Sequence, residues 1–357
     1  MIFNSGARLA AGALAVTAAL AVTTAQAQQP RVNWKMQSAF GSNLPHLGPP
    51  GHRFEKDISD MTDGRFVVKF HEPGALVPTL ECFDAASKGS VDACWTTPGF
   101  HAGKYPVLAF FTTVPFGPQL GEFMAWKKFG NGNKLEQEIY AKHGLMSFDA
   151  YAIGPETSGW FRREITSLDQ LKGLKMRFFG LGAKVMQKLG VSTQLLAPAD
   201  IFPALERGVI DATEFSMPAM DIKQGFYQVA KFNYFPGWHQ LVSVNHILMN
   251  KKTFEALPKS YQKILEMAAG NQLLHNYAES ESTNFGAMAE MTNKHGVQIK
   301  RWTDDQIAVF ERTWLEVIKE ESAKDPLFKQ VSDDYLAFRA RYKIWGDAQT
   351  VRPTYLK

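Results

Sequence analysis

Cysteine is nearly missing from this chain: 357 residues carry two, Cys82 and Cys94. No second cysteine pair or nearby histidine pattern completes a zinc site around them. The sequence also lacks a serine, histidine and aspartate set, a zinc motif and a paired acid and base, so no nucleophile is visible beside its activator. Basic residues are not clustered and the formal charge is only +4, which argues against a nucleic-acid surface. Beyond residue 27 no run is apolar for the ~20 residues that a bilayer span requires. The two cysteines sit twelve positions apart. Cys82 should start a short helix and Cys94 should end the strand that follows. A helix and a strand packed face to face keep their backbones ~10 Å apart, beyond the ~7 Å limit between disulfide-linked Cα atoms. Two buried thiols are therefore expected, with a disulfide as the alternative.

What is present begins with an export address. Arg8 is the one charged side chain among the first 27 residues, an apolar run follows over 9–22, and Ala25 and Ala27 offer the small side chains that signal peptidase needs. Cleavage after Ala27 is expected, the alternative being an uncleaved anchor. The mature chain of 330 residues, with formal charge +3, would be periplasmic. It is long enough for two lobes with separate cores, since one core stops growing near ~250–300 residues.

Residues 32–40 read as a strand and a helix carries His52, Phe54 and Ile58. A second strand follows at 65–71, with Phe66, Val68 and Phe70 on one face. This βαβ opening predicts an α/β fold with a parallel or mixed sheet. Residues 83–93 are then echoed at 202–212, at a constant offset of 119 with five identities in eleven. Each copy places a glycine, Gly89 or Gly208, at a helix end, and an aspartate, Asp92 or Asp211, in the next strand, which in the second copy spans 209–212. Two copies of one unit fit two similar lobes, each aiming a strand end at a shared cleft. The expected organisation is a signal peptide over 1–27, lobe I over 28–150 with returning C-terminal segments, and lobe II over 151–250. A helix-rich region over 251–357 would bridge the two, with helices at 261–269, 272–294, 304–323 and 327–344.

The chemistry gathers where strands end, which is where open α/β sheets bind ligands. Arg177 closes a short strand, and its guanidinium can grip a carboxylate through two parallel hydrogen bonds. Glu156, Glu214 and Gln240 are oxygen donors on separate loops, and the Phe215 carbonyl can join them around a hard cation. Phe40, Trp95 and Thr97, with Phe100 beside them, are the first lobe's candidates for the cleft. Trp160 and Trp238 are candidate walls or core residues, and His239 reads as an ordinary loop histidine. An exported metal-dependent enzyme using Glu214 as base is the competing reading, as is a binding protein that reports to a membrane sensor.

Several stretches, among them Gly159–Arg162 (Gly-Trp-Phe-Arg), 171–177 (Leu-Lys-Gly-Leu-Lys-Met-Arg), 201–212, Glu214 with Phe215, and Tyr-Phe-Pro-Gly-Trp at 234–238, carry a resemblance. They are similar to the solute-binding subunits of TRAP transporters, the DctP family, and closest to the subgroup that binds 2-oxo acids. The resemblance implies a two-lobe periplasmic binding protein fold with long bridging C-terminal helices and a ligand in the cleft. It implies that Arg177 binds the carboxylate of a small 2-oxo or 2-hydroxy monocarboxylate. It further implies a bridging metal ion, Na⁺ or Ca²⁺, held by Glu156, Glu214, Phe215 and Gln240. The subgroup carries Gln, Trp and Glu where this chain has Glu156, Phe215 and Gln240, so the ligand charge is kept while its placement is exchanged. TRAP membrane subunits are the implied partners, and a homodimer is admitted.

Overall fold

A computed structural model describes residues 29–349; the expected signal peptide lies outside them. Eleven strands are described: β1 (Val32–Ser38), β2 (Phe66–His71), β3 (Ala93–Thr96), β4 (Leu145–Ile153), β5 (Gly159–Phe161), β6 (Lys175–Arg177), β7 (Ser192–Gln194), β8 (Ala212–Thr213), β9 (Phe232–Phe235), β10 (Ser243–Asn250) and β11 (Gln298–Arg301). They form two sheets, ordered β2-β1-β3-β10-β4 and β11-β9-β5-β8-β6-β7. In the first, β1 is parallel to β2 and β3, while β10 runs antiparallel to both β3 and β4. The second repeats the plan: β6 is parallel to β7 and β8, and β5 runs antiparallel to β8 and β9. In each sheet the reversed strand arrives from the other sheet. The chain crosses from β4 to β5 over residues 154–158 and back from β9 to β10 over residues 236–242.

The helices that matter here are α1 (Pro49–Met61), α2 (Cys82–Ser87), α3 (Leu120–Phe129), α4 (Gly132–Ala141), α5 (Gly182–Lys188), α6 (Pro198–Glu206), α7 (Pro218–Gln224), α8 (Lys251–Glu255), α9 (Lys259–Glu281), α10 (Asn284–His295), α11 (Asp304–Lys324) and α12 (Pro326–Ala348). α9 lies against β4 and α1 of the first lobe, and α10 packs on α7 of the second. α11 packs on α5 while its neighbour α12 packs on α3 and α4, so the C-terminal helices do bridge the lobes.

The internal echo is structural. Gly89 and Gly208 both adopt left-handed φ, 74° and 72°, where a Cβ would be strained. Asp92 Oδ2 accepts from Lys35 N at 2.8 Å, and Asp211 Oδ2 accepts from Lys175 N at 2.9 Å. Met36 pairs with Ala93 as Met176 pairs with Ala212. Gln37, one residue before the end of β1, and Arg177, the last of β6, therefore hold equivalent places in the two sheets.

Four expectations are corrected. Cys82 and Cys94 form a disulfide, with Cα atoms 6.1 Å apart. Cys82 is the first residue of α2, so it approaches β3 with the helix end and not with the helix face, which removes the ~10 Å separation. Ser243–Asn250, read as the end of lobe II, is the reversed strand of the first sheet. The helix break expected between 269 and 272 lies instead at 282–283. α9 runs through Gly270 because Leu265, Ala268, Ala269 and Gln272 are buried on either side of it, and that burial outweighs a glycine penalty of ~1 kcal/mol. The strand expected at 209–212 is shorter, because Val209 N still bonds Ala204 O in the cap of α6.

Candidate ligand- and cation-binding site

The two crossovers run side by side, joined by Glu156 N donating to Gln240 O at 3.1 Å. Next to them a small cavity opens between the sheets, lined by both lobes. Arg177, at the end of β6, is 1% exposed and Glu214, just past β8, is 0% exposed. The register of β6 and β8 sets Arg177 opposite Thr213, and that brings the next residue within reach. Arg177 Nη1 donates to the Glu214 carbonyl at 2.6 Å and to Glu214 Oε2 at 3.1 Å, and Phe179 N donates to the same Oε2 at 2.9 Å. The guanidinium carbon also sits 5.4 Å from the Phe215 ring centre and 5.9 Å from that of Phe179. Its Nε has no partner.

On the crossovers, Glu156 Oε1 accepts from Ser216 Oγ at 3.1 Å. Ser216 N in turn donates to Asp221 Oδ1 at 3.1 Å, and Trp160 Nε1 donates to Asp221 Oδ2 at 2.7 Å. Asp221 thus positions Ser216, and Ser216 positions Glu156. Glu156 Oε2, Glu214 Oε1, Gln240 Oε1 and both ring nitrogens of His239 are buried and make no hydrogen bond. His239 Nε2 lies 3.7 Å from Glu156 Oε2 and 3.6 Å from Glu214 Oε1. Ligand atoms of Glu156, Glu214 and His239 all fall within 4.8 Å of one another.

The charges do not balance comfortably. Burial pushes the Glu156 carboxyl up to about 8, with His239 opposing and Glu214 adding to the rise. Burial also works against Glu214, yet Arg177 and His239 outweigh it and hold that carboxyl well below the usual range. His239 is disfavoured as a cation by burial, but the two carboxylates draw it up to about 9. Two carboxylates thus compete for scarce positive charge while their free oxygens converge. Buried polar atoms without partners are rare in proteins, and two converging carboxylate oxygens, with an unpartnered amide oxygen on the adjoining crossover, suit a hard cation. The residues present fit such an ion.

Of the residues expected from sequence, Phe40, Thr97, Glu156, Arg177, Phe215 and Gln240 line the one cavity. Glu214 stands behind it on Arg177. Trp95 does not reach it. Strand alternation turns its side chain under α1, where its ring stacks on Tyr151 at 4.4 Å and its Nε1 donates to Leu47 O. Trp160 and Trp238 are core residues, held by Asp221 and by a stack on Phe310 at 4.7 Å. His239, Phe179, Ser243 and Asn245 were not found from sequence. His239 carried only its adjacency to Gln240 as a signal, and Asn245 fell within the stretch expected to belong to lobe II.

The pattern of bacterial extracellular solute-binding protein family 7, DctP, matches residues 46–325. The chain is 35% identical over 343 residues to a monocarboxylate 2-oxoacid-binding periplasmic protein of Nostoc sp., covering 94% of this chain and 93% of that one. Its fold matches a TRAP transporter solute binding protein from Bordetella bronchiseptica, a mixed-occupancy dimer with copurified calcium and picolinate. That match has a TM-score of 0.87 and 31% identity, covering 90% of this chain and 95% of that one. A TRAP periplasmic solute binding protein from Pseudoalteromonas atlantica, with bound sodium and pyruvate, matches at a TM-score of 0.85 and 29% identity, over 89% and 97% of the two chains. With its two mirrored sheets and its buried cavity between them, this chain belongs to family 7 of the bacterial extracellular solute-binding proteins, the DctP family.

Proposed function

We propose that the mature chain is the periplasmic solute-binding subunit of a TRAP transporter, without enzymatic activity. It captures a small 2-oxo or 2-hydroxy monocarboxylate and delivers it to the membrane subunits. The observation that carries this reading is the meeting, in one buried cavity, of Arg177 with carboxylate and amide oxygens that have no partner. Arg177 is the only cation among the described lining residues. One guanidinium suits one carboxylate, and a second carboxylate would be stranded among Phe40, Phe100, Phe179 and Phe215, where an unpaired charge is costly. What the Nostoc, Bordetella and Pseudoalteromonas proteins bind supports the same ligand class.

Glu156, Glu214, Gln240 and the Phe215 carbonyl would hold a Na⁺ or Ca²⁺ ion. Bound there, the ion supplies positive charge between the carboxylates and open positions for ligand oxygens. The protein's own groups do the remaining work. Arg177 orients the carboxylate, Glu214 fixes the guanidinium, and the phenylalanines exclude water. Phe40 and Thr97 contribute from the first lobe, over residues 28–150 with the return of β10, and Arg177 from the second. Residues 1–27 direct export. Phe129, Ile344 and Trp345, exposed at 93%, 79% and 58%, would suit contact between two copies in a homodimer.

A melting-shift screen of 2-oxo and 2-hydroxy acids, with and without chelator, tests the reading, since a ligand that binds only the folded state raises stability. A monocarboxylic 2-oxo acid should raise Tm, chelation should shrink the rise, and no product should form. If no acid in the panel stabilises the protein with Na⁺ or Ca²⁺ present, the assignment is wrong.

A further inference from the structure

The first lobe meets the cavity with three polar side chains, Thr97, Ser243 and Asn245. They are linked in one chain of hydroxyls. Thr97 Oγ1 lies 3.0 Å from Thr112 Oγ1, which is 3.2 Å from Ser243 Oγ and 3.4 Å from Asn245 Oδ1. Ser243 Oγ reaches the same Oδ1 at 3.2 Å. One end of the Asn245 amide is therefore held twice. The other end, Nδ2, is buried and has no partner in the protein, although Asn245 is only 2% exposed. A buried donor left unpaired is unfavourable, and this one belongs to a residue that lines the ligand cavity.

Its place in the fold says what it serves. β10 pairs Asn245 with Tyr151 and Ser243 with Ile153. The same two chain segments continue to Glu156 and Gln240, which carry the unpartnered oxygens of the cation site. Asn245 thus lies on the ribbon that carries the head-group site. On the second-lobe side, Nη1 of Arg177 is already engaged by Glu214, so the guanidinium alone cannot fill the roughly four acceptor positions of a carboxylate. The hydroxyls can turn their protons either way, which leaves the amide free to present its NH₂ to an anion.

We propose that Asn245 is the first lobe's hydrogen-bond donor to an oxygen of the ligand's head group, complementing Arg177 of the second lobe. The proposal deepens the carboxylate-binding reading above and rests on it. A ligand held by Arg177 alone is bound to one lobe. A ligand held by Arg177 and Asn245 ties the two together, so that Asn245 sets affinity without touching the cation.

Calorimetric titration of pyruvate in Ca²⁺, and of Ca²⁺ alone, into the wild-type protein and Asn245→Leu tests this. Leucine keeps the branched outline, though it is larger, and removes the donor. The expected result is a loss of pyruvate affinity of roughly 10–100-fold, the range for a hydrogen bond to a charged group, with Ca²⁺ affinity unchanged. Asn245→Ser, with a shorter donor, should recover part of the loss. In the wild-type protein labelled with ¹⁵N-asparagine, the Asn245 side-chain amide signal, assigned through bonds, should shift on pyruvate addition, a readout that needs no variant to fold. Equal pyruvate affinity in Asn245→Leu and the wild type, or an unmoved amide signal at saturation, would overturn the proposal while leaving the carboxylate-binding reading in place. A wild-type protein that binds neither pyruvate nor any other 2-oxo acid would overturn that reading, and this proposal with it.

Discussion

Arg177 has two tasks, and a lysine can perform only one of them. An ammonium can still neutralise Glu214, but it cannot keep that contact and also offer a planar, two-donor edge to a carboxylate. Arg177→Lys should therefore lose about 2–4 kcal/mol of ligand affinity, or ~30–1000-fold in Kd, while the protein stays folded. Unchanged affinity by calorimetry would remove Arg177 from the site. Glu214→Ala should weaken cation and ligand together, because it deletes one converging oxygen and frees the guanidinium it anchors. If its Ca²⁺ titration matched the wild type, the carboxylate pair would not be the cation site. Arg177 and Glu214 were legible as candidates because each stands where a short strand runs out, whereas Glu156 and Gln240 were singled out chiefly by the family resemblance, since an acid or an amide in a loop is a weak signal by itself. His239 and Asn245 were not legible. What singles them out is unpaired buried atoms, those of His239 beside the Glu156 and Glu214 carboxylates and that of Asn245 at the cavity, and no spacing along the chain announces that.

At the scale of elements, α3, α4 and β4 are pinned by one buried lysine. Lys127 Nζ lies 2.6 Å from Glu136 Oε2 and 2.7 Å from Asp149 Oδ1, all three being buried. Burial pushes the Asp149 carboxyl up, but Lys127 and then Lys128 outweigh it and hold it below its ordinary value. A carboxyl depressed in the folded state contributes stability that is complete above its unfolded value of ~3.9 and lost as the pH falls further. Lys127→Met strands two buried carboxylates, so it should destabilise by about 3–5 kcal/mol at pH 7. The gap from the wild type should narrow below pH 4. Urea unfolding at pH 7 and at pH 3.5 would show it, and a gap independent of pH would refute the argument. The disulfide ties α2 to β3 across twelve positions, and opening a loop of that size should cost about 3 kcal/mol. A melting curve unmoved by a reductant, with both thiols then titratable, would contradict this. Strand alternation and glycine-marked helix ends made the βαβ opening, the echoed units and the last helices readable in advance. The disulfide and the unbroken α9 were not, since each depends on which side of a helix meets its neighbour.

For the whole molecule, closure is the event to measure. The first-lobe loop at Gly99 touches Phe179 of the second lobe so closely that a Cβ on Gly99 would fall 2.1 Å from the ring. Phe100 meets the same ring edge-on at 5.6 Å. Such lobes move by hinge closure, and the radius of gyration from small-angle scattering should fall when a 2-oxo acid is added. Gly99→Val should keep the lobes apart and lose that change, although it removes no polar contact to the ligand. An identical contraction in the variant would show that this contact does not limit closure. The two-lobe plan was readable from the echo at offset 119, but the return of β10 was not, because a buried strand carries no mark of which sheet it will join. That return has a further consequence for how the chain comes into being. β4 has no sheet partner other than β10 among the described residues, so the first lobe cannot close its sheet until residues 243–250 have been delivered. During synthesis the early segments must wait, unfinished, while much of the second lobe is already complete in sequence. The topology thus postpones the earliest-made half, whose sheet stays open until most of the chain has been synthesised.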